Sequence, residues 1–580
     1  MFEKSKFFAA LLAVTLCAWA VNAAPQVNET NLLSPGSSTN SHESPAFNRI
    51  VNAIIVRENY LVRTLENYSP RMEIYLQDMR QDPELGAVPV SDYYFLGRVQ
   101  FRPNKTIMVK SLLPHPGFGL RIVKDVKGQL TQFVSPRYHP SDFYFSLVMD
   151  TSRFDRRHYN FRFVRREFLG DVRCLVFDVT PKPRVFRRFL LLDYGDIGMF
   201  KGRIWVEDHH YNIVRFDGGF EPAPQGTTYY HFDSWREEVQ PGLWLPVYAY
   251  SEESGVKFGF DRTERFRAQM RFWGYGLENP NRQSEMTQIE VDSPEVKDEA
   301  GASGDLSPVE GEREWQEQAQ DNVLDRLQKA GLLAPPGGNV DKVMDTVVNN
   351  LVVTNHLENL PPIHCRTLLT SQLESLAVGN TILMSRGLID VLPDEPSLAA
   401  MLAYPLARIV LQQTGGLRDT RWAFDDRLMV PDTDLLKILN FRPSQHDEKA
   451  ANAKALQLLK DSPYKNQLGK AGLFLRAMAK IEPQTPHLFG AHLGSRLVRK
   501  GRVERVAALM TGAPKLQPRS VDQIAALPLG ARVKVDPWND DVSLVKSKPV
   551  TLLSAKEKMP FEVTPMFPYL TRYTTEQASR

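Results

Sequence analysis

The chain has 580 residues, 42% of them hydrophobic and 24% charged. That is a globular balance with length for two or three cores, and it excludes disorder throughout. A formal net charge of +3 is too small to argue for a nucleic-acid partner, and three cysteines are too few for a disulfide framework.

Lys4 and Lys6 precede an apolar run from Phe7 to Val21, and Val21-Asn22-Ala23 places small residues where a signal peptidase cuts. This predicts a signal peptide over 1–24 and a mature chain starting near Ala24 or Pro25. Cys17 is not read as a lipidation site, because Leu16 ahead of it is bulky and the apolar run continues past it. No later stretch approaches the ~20 apolar residues of a spanning helix. A periplasmic or cell-envelope protein without a membrane span is expected, and an exported chain has little access to nucleic acid.

From Asn48 to Gly276 the pattern is strand-like, as in Tyr159-Asn160-Phe161-Arg162-Phe163 and Cys174-Leu175-Val176-Phe177. Asn48 to Tyr75 reads as one or two helices. Gly202 to Val206 and Ile213 to Phe216 flank Glu207-Asp208-His209-His210-Tyr211-Asn212 as a hairpin with a polar loop. Phe189 to Asp193, Tyr229 to Trp235 and Trp244 to Tyr250 are further strands. The first domain is therefore drawn over 48–280.

Residues 281–313 mix Asp292, Glu295, Asp298, Glu299, Asp305, Glu310 and Glu312 with Gly, Ser and Pro, and read as an acidic flexible linker. A mainly helical domain follows over 314–515, with helices expected at Trp315–Leu333, Val340–Leu357, Ser397–Gln413, Asp447–Leu459 and Asn466–Ile481. Arg366–Leu369 and Thr381–Ser385 are short strands within it. The tail, 516–580, carries strands at Arg532–Asp536 and Val542–Val545. No internal repeat is found, and the fold class is α+β.

Val378-Gly379-Asn380-Thr381-Ile382-Leu383-Met384-Ser385-Arg386-Gly387-Leu388-Ile389-Asp390, then Asp394-Glu395 and Leu398-Ala399-Ala400-Met401-Leu402-Ala403, set a strand, an acidic helix start and a helix of small apolar residues in order. This order resembles the HtpX-like and BepA-like zinc metallopeptidases, relatives of the CAAX-prenyl proteases, over roughly Val340 to Lys500. The resemblance implies a zincin-like domain with His-Glu-x-x-His next on the helix, where two imidazoles hold zinc and the Glu takes a proton from bound water. Here those positions are Tyr404, Pro405 and Arg408. A phenol is a weak substitute for imidazole, and Arg408 repels a dication. Pro405 removes a helix hydrogen bond, clashes with the Met401 carbonyl and predicts a kink.

His446-Asp447-Glu448-Lys449-Ala450-Ala451-Asn452 resembles the family's later Glu-x-x-Ala-Asp segment, so Glu448 is the one retained ligand-type residue and Asn452 replaces an Asp. Glu448 is read as a helix N-terminal carboxylate that pairs with Arg408. His446, His487 and His492 do not have the spacing of ligands on one helix face, and His209-His210 sits in a hairpin loop. No metal, catalytic residue or cofactor is assigned; zinc belongs only to the alternative of a working metalloendopeptidase.

Nucleophilic catalysis finds no candidate: no Gly-x-Ser-x-Gly elbow is present and Cys174 lies in an apolar run. Arg156, Arg157, Arg162, Arg165, Arg166, Arg187 and Arg188 could face anionic lipid, but are read as the polar face of a one-sided sheet. Gly202-Arg203-Ile204-Trp205-Val206-Glu207-Asp208 leading into Ile213-Val214-Arg215 resembles the LolA-like periplasmic carriers, implying a half-barrel that takes acyl chains or hydrophobic segments. The leading expectation is an exported pseudo-metallopeptidase that binds envelope protein or lipid. The alternatives are a zinc metalloendopeptidase and a lipid or lipoprotein carrier.

Overall fold

The computed structural model describes residues 44–516, with interruptions at 83–85, 103–105, 114–120, 125–129, 134–145, 151, 170, 183–198, 222–228, 259–261, 277–307 and 413–431, and also 533–535 and 542–544. The signal peptide, Phe189–Asp193, Arg187, Arg188 and most of the expected linker lie outside the described residues.

Helix α1 spans Pro45–Leu65; Pro45 takes its first turn, and the Ser44 hydroxyl accepts from the Phe47 N–H at 3.1 Å. It is one helix and ends before the chain enters β1 at Arg71, so the expected helical reach to Tyr75 is too long. Residues 71–76 alternate apolar Met72, Ile74 and Leu76 with Glu73 and Tyr75, a period of two that suits a strand.

The strands are β1 Arg71–Asp82, β2 Gly86–Arg102, β3 Thr106–Ser111, β4 Arg121–Lys124, β5 Leu130–Phe133, β6 Tyr159–Leu169, β7 Val172–Pro181, β8 Met199–Glu207, β9 Ile213–Glu221, β10 Tyr229–Gln240, β11 Leu243–Phe258 and β12 Arg262–Trp273. Ten of them form one antiparallel sheet in the order β3-β2-β1-β12-β11-β10-β9-β8-β7-β6, while β4 and β5 pair separately. Among the described residues the sheet stays open, with β3 and β6 as its edges.

Alternation gives the sheet two unlike faces. The inner face carries Phe161, Phe177, Phe200, Phe216 and Phe232, on which Phe47, Val51 and Ile54 of α1 pack; Leu61 and Leu65 continue onto Met72, Ile74 and Phe95. Apolar positions three and four apart put this stripe on one side of the helix. Glu58 interrupts it and is buried, but Arg236 reaches it with both terminal nitrogens at 2.7 and 2.8 Å, and the Met149 N–H donates at 2.9 Å. A buried charge is tolerated only when it is paired and hydrogen-bonded in this way.

The outer face over β1, β2 and β12 is covered by the helical half. Its elements are α2 Pro308–Lys329, α3 Asn339–Thr354, β13 His364–Leu368, β14 Ser375–Val378, β15 Thr381–Ser385, α4 Arg386–Val391, α5 Glu395–Val410, α6 Asp432–Ile438, α7 Gln445–Lys460 and α8 Leu468–Ile481. Helix α2 begins inside the segment read as linker. Strand β15 pairs with β13 in parallel and with β14 antiparallel, and β14 was not foreseen. Two tail strands, Val533–Val535 and Val542–Leu544, pair with each other.

Tyr75, Tyr94, Leu96 and Trp273 share one apolar cluster with the helical half. Buried carboxylates add direction. Glu73 accepts from Tyr94 Oη at 2.5 Å, the Ser371 N–H at 2.6 Å and Arg386 Nη2 at 2.7 Å. Asp92 accepts from the N–H groups of His487 and Leu488 at 3.0 and 2.8 Å. The loops of one half are thus bonded to strands of the other.

Candidate ligand-binding site

The helix that the metallopeptidase resemblance aligns with a zinc motif, and where that motif is expected to be lost, is α5. Asp394 caps it by accepting from the Ser397 N–H at 3.0 Å, and Tyr404, Pro405 and Arg408 are all buried. The helix continues through Pro405, as expected, and ends at Val410, short of the expected Gln413. Proline leaves the Met401 carbonyl without its i+4 donor, and the Ser375 hydroxyl supplies one at 3.3 Å. Tertiary structure thereby offsets the cost that sequence assigns to Pro405.

Tyr404 is enclosed, at 1% exposure. Arg505, buried, lies with its guanidinium carbon 4.5 Å from the Tyr404 ring centre. It donates through Nη1 to the Ser375 carbonyl and hydroxyl at 2.7 and 3.0 Å, and through Nη2 to Ser495. Burial pulls the Arg505 guanidinium below its ordinary pKa, opposed by Tyr404, Glu374 and Glu448. Arg408 is likewise lowered by burial, and its Nη1 donates to the Phe441 carbonyl at 2.9 Å.

Glu448 sits in the first turn of α7, the end that favours a carboxylate. The expected contact pair with Arg408 gives way to the Phe441 bond, and Glu448 acts on both arginines through space. Asn452 holds the Arg505 loop: its Oδ1 accepts from the Val506 N–H at 2.6 Å and its Nδ2 donates to the Glu504 carbonyl. Arg505 was missed from sequence because it lies about a hundred residues from Tyr404 and carries no motif.

The histidines are dispersed. His487 Nδ1 lies 3.0 Å from Asp92, His446 is exposed beside Asp447, and His492 is stacked on Tyr94, 6.4 Å between ring centres. Among the described residues, no three His, Cys, Asp or Glu side chains converge on a metal position. His209 and His210 occupy the β8–β9 turn, where Glu207 accepts from both of their N–H groups and from Asn212. Burial raises the Glu207 pKa, but these donors outweigh it and hold the carboxyl below its usual range. Burial pushes the Cys174 thiol up to about 12, so it stays protonated and inert.

An open site lies instead at the β6 edge of the sheet. A groove of about 940 Å³ is lined by Phe47, Tyr159, Phe161 and Trp205, by Arg156, Arg162, Lys182, Lys201 and Arg203, and by Asp178 and Asp217. Its volume falls at the upper end of the small-molecule range. Gly202 and Gly218 form part of its wall, directly opposite each other on β8 and β9; a Cβ at Gly202 would strike the Asp217 carbonyl and Gly218.

Part of this cationic surface is neutralised: Arg162 and Arg203 share Asp178 across strands, Arg165 meets Glu167 along its own strand, and Arg215 forks onto Asp233 with both bonds at 2.9 Å while lying between the Trp205 and Trp235 rings. Lys201 pairs with Glu221 at 2.8 Å. These pairs lie on the polar face of the sheet, where cross-strand cations and carboxylates meet.

Arg156 and Lys182 differ. Asp155 shapes the turn before β6 by accepting from the Arg157 and His158 N–H groups at 2.7 and 2.9 Å, and the Lys182 N–H donates to the His158 carbonyl at 2.8 Å. Within this turn Arg156 Nη2 donates to the Asn48 side-chain carbonyl at 2.6 Å, beside the Phe47 ring. Lys182 Nζ donates to the Arg156 carbonyl at 2.7 Å. Both partners are neutral oxygens.

No family model matches the chain, and no curated protein matches it. Among solved structures it is similar to a domain assigned to outer membrane lipoprotein sorting from Vibrio parahaemolyticus, at 10% identity and a TM-score of 0.23, covering 40% of this chain and 98% of that one. It is also similar to a DUF1329 family protein from Desulfovibrio piger (10% identity, TM-score 0.22, 38% of this chain and 90% of that one). A LolA superfamily protein from Nitrosomonas europaea gives 11% identity and a TM-score of 0.19 over 38% of this chain and 90% of that one. The metallopeptidase resemblance finds no counterpart in these comparisons.

Proposed function

We propose that this is an exported, noncatalytic binding protein of the cell envelope that holds an amphiphile, a lipid or the lipid of a lipoprotein, on its N-terminal sheet domain. The groove at the β6 edge carries the reading: its lining combines aromatic residues with five cations, within a volume suited to a single ligand. Export rests on Lys4, Lys6 and the apolar run to Val21. No described helix is long and apolar enough to cross a membrane. Mature protein from a native host, studied by native mass spectrometry, should carry lipid mass released by organic solvent. Protein that is lipid-free and fails to take up any added single-chain amphiphile would overturn the reading.

A second reading concerns the helical half alone. We infer that, if it descends from a metallopeptidase framework, it now serves as a scaffold, because Arg505 fills the space over Tyr404 and Arg408 is committed to Phe441. Chelator-sensitive cleavage of casein by pure protein would overturn this. Zinc bound at one per chain would do the same.

A further inference from the structure

We propose that Arg156 and Lys182 are the recognition element for the anionic head of the amphiphile, phosphate or carboxylate; this deepens the binding reading above and rests on it. Of the five cations lining the groove, three are already answered by carboxylates: Arg162 and Arg203 by Asp178, and Lys201 by Glu221. Arg156 and Lys182 instead bond neutral acceptors, the Arg156 guanidinium the Asn48 amide oxygen and the Lys182 ammonium the Arg156 backbone carbonyl. Among the described residues neither has a carboxylate partner. Two like charges lining one groove repel each other, and an anion bound in that groove relieves the repulsion while accepting charge-assisted hydrogen bonds.

The surroundings suit this role. The nearest carboxylate in sequence, Asp155, is committed to His158 and to two backbone N–H groups, so it does not compete for Arg156. Asn48 lies on the first turn of α1, and Phe47, Tyr159 and Phe161 line the same groove. An anionic head at Arg156 and Lys182 therefore leaves an attached chain in the same groove, so the site selects the head by charge.

The test titrates folded mature protein with dodecyl phosphate, dodecanoate and the uncharged dodecyl maltoside, following tryptophan fluorescence, since Trp205 lines the groove. Either anionic probe should bind about tenfold or more tightly than the maltoside, the difference shrinking as salt is raised. Dodecyl phosphate against dodecanoate separates a phosphate source from a carboxylate one. R156E and K182E should each lose about tenfold for the anionic probes alone, whereas R173E, outside the groove and paired with Asp208, should change by less than about threefold. Lys182→Gln supplies a milder variant if charge reversal unfolds the turn. Equal affinity for charged and uncharged probes, unaffected by R156E and K182E, would overturn this inference and leave the binding reading standing. Failure of all three probes to bind would overturn the binding reading itself.

Discussion

Arg505 and Arg156 each lie beside an aromatic ring, the first over Tyr404 and the second by Phe47. Arg505 is fully enclosed, with both terminal nitrogens engaged by Ser375 and Ser495; Arg156 is half-exposed, borders an open groove and has a single amide oxygen as its side-chain acceptor. The same residue type is a structural post in one place and an available cation in the other. Partner count and solvent access, rather than residue identity, decide which.

The comparison can be broken or sharpened by substitution. Largest should be Glu73→Ala, which strips the acceptor from buried Arg386, Tyr94 and Ser371 where the two halves meet. It is expected to cost ~3–5 kcal/mol in urea unfolding, with the halves becoming separately cleavable by protease. Arg505→Ala should come next at ~2–3 kcal/mol, because it leaves Ser375 and Ser495 without a charged donor. A near-neutral result would mean that Arg505 is not the post described.

His492 tests the same buried region by pH. Burial, followed by Arg442 and Arg496, lowers its pKa to about 4. Between that value and an unfolded value near ~6.5 the unfolded chain binds a proton that the folded chain does not, so stability rises with pH across the window. Roughly 1.5 kcal/mol should be lost as pH falls from about 6.5 to about 5. His492→Phe should remove that dependence while keeping the ring against Tyr94, as pH-stepped urea midpoints would reveal. The smallest stability effect belongs to the combined Arg156→Gln and Lys182→Gln change, within ~0.5 kcal/mol, even though the inferred anion binding is lost. A large destabilisation there would make the pair a post like Arg505 and remove the contrast.

Much of the fold was legible. The β8–β9 hairpin and the helices holding Tyr404 and Glu448 follow from alternation and 3.6-residue periodicity, which are local signals. The β1 start was obscured because α1 and β1 are joined by only a few residues and both are apolar on alternate or spaced positions. The sequence read Arg153 to Arg188 as one polar face and could not separate Arg162 from Arg156, since Asp178 reaches Arg162 only across a strand pair.

By itself the sequence determined the division into a β-rich half and a helical half, and the placing of Tyr404, Pro405 and Arg408 on one helix. Only tertiary structure decided that Arg505 lies over the Tyr404 ring, that Ser375 satisfies the carbonyl freed by Pro405, and that Arg156 and Lys182 line one groove with no carboxylate partner among the described residues. Periodicity is a property of neighbours along the chain, whereas hydrogen-bond satisfaction and charge pairing depend on residues brought together from far apart, and no spacing in the sequence records them.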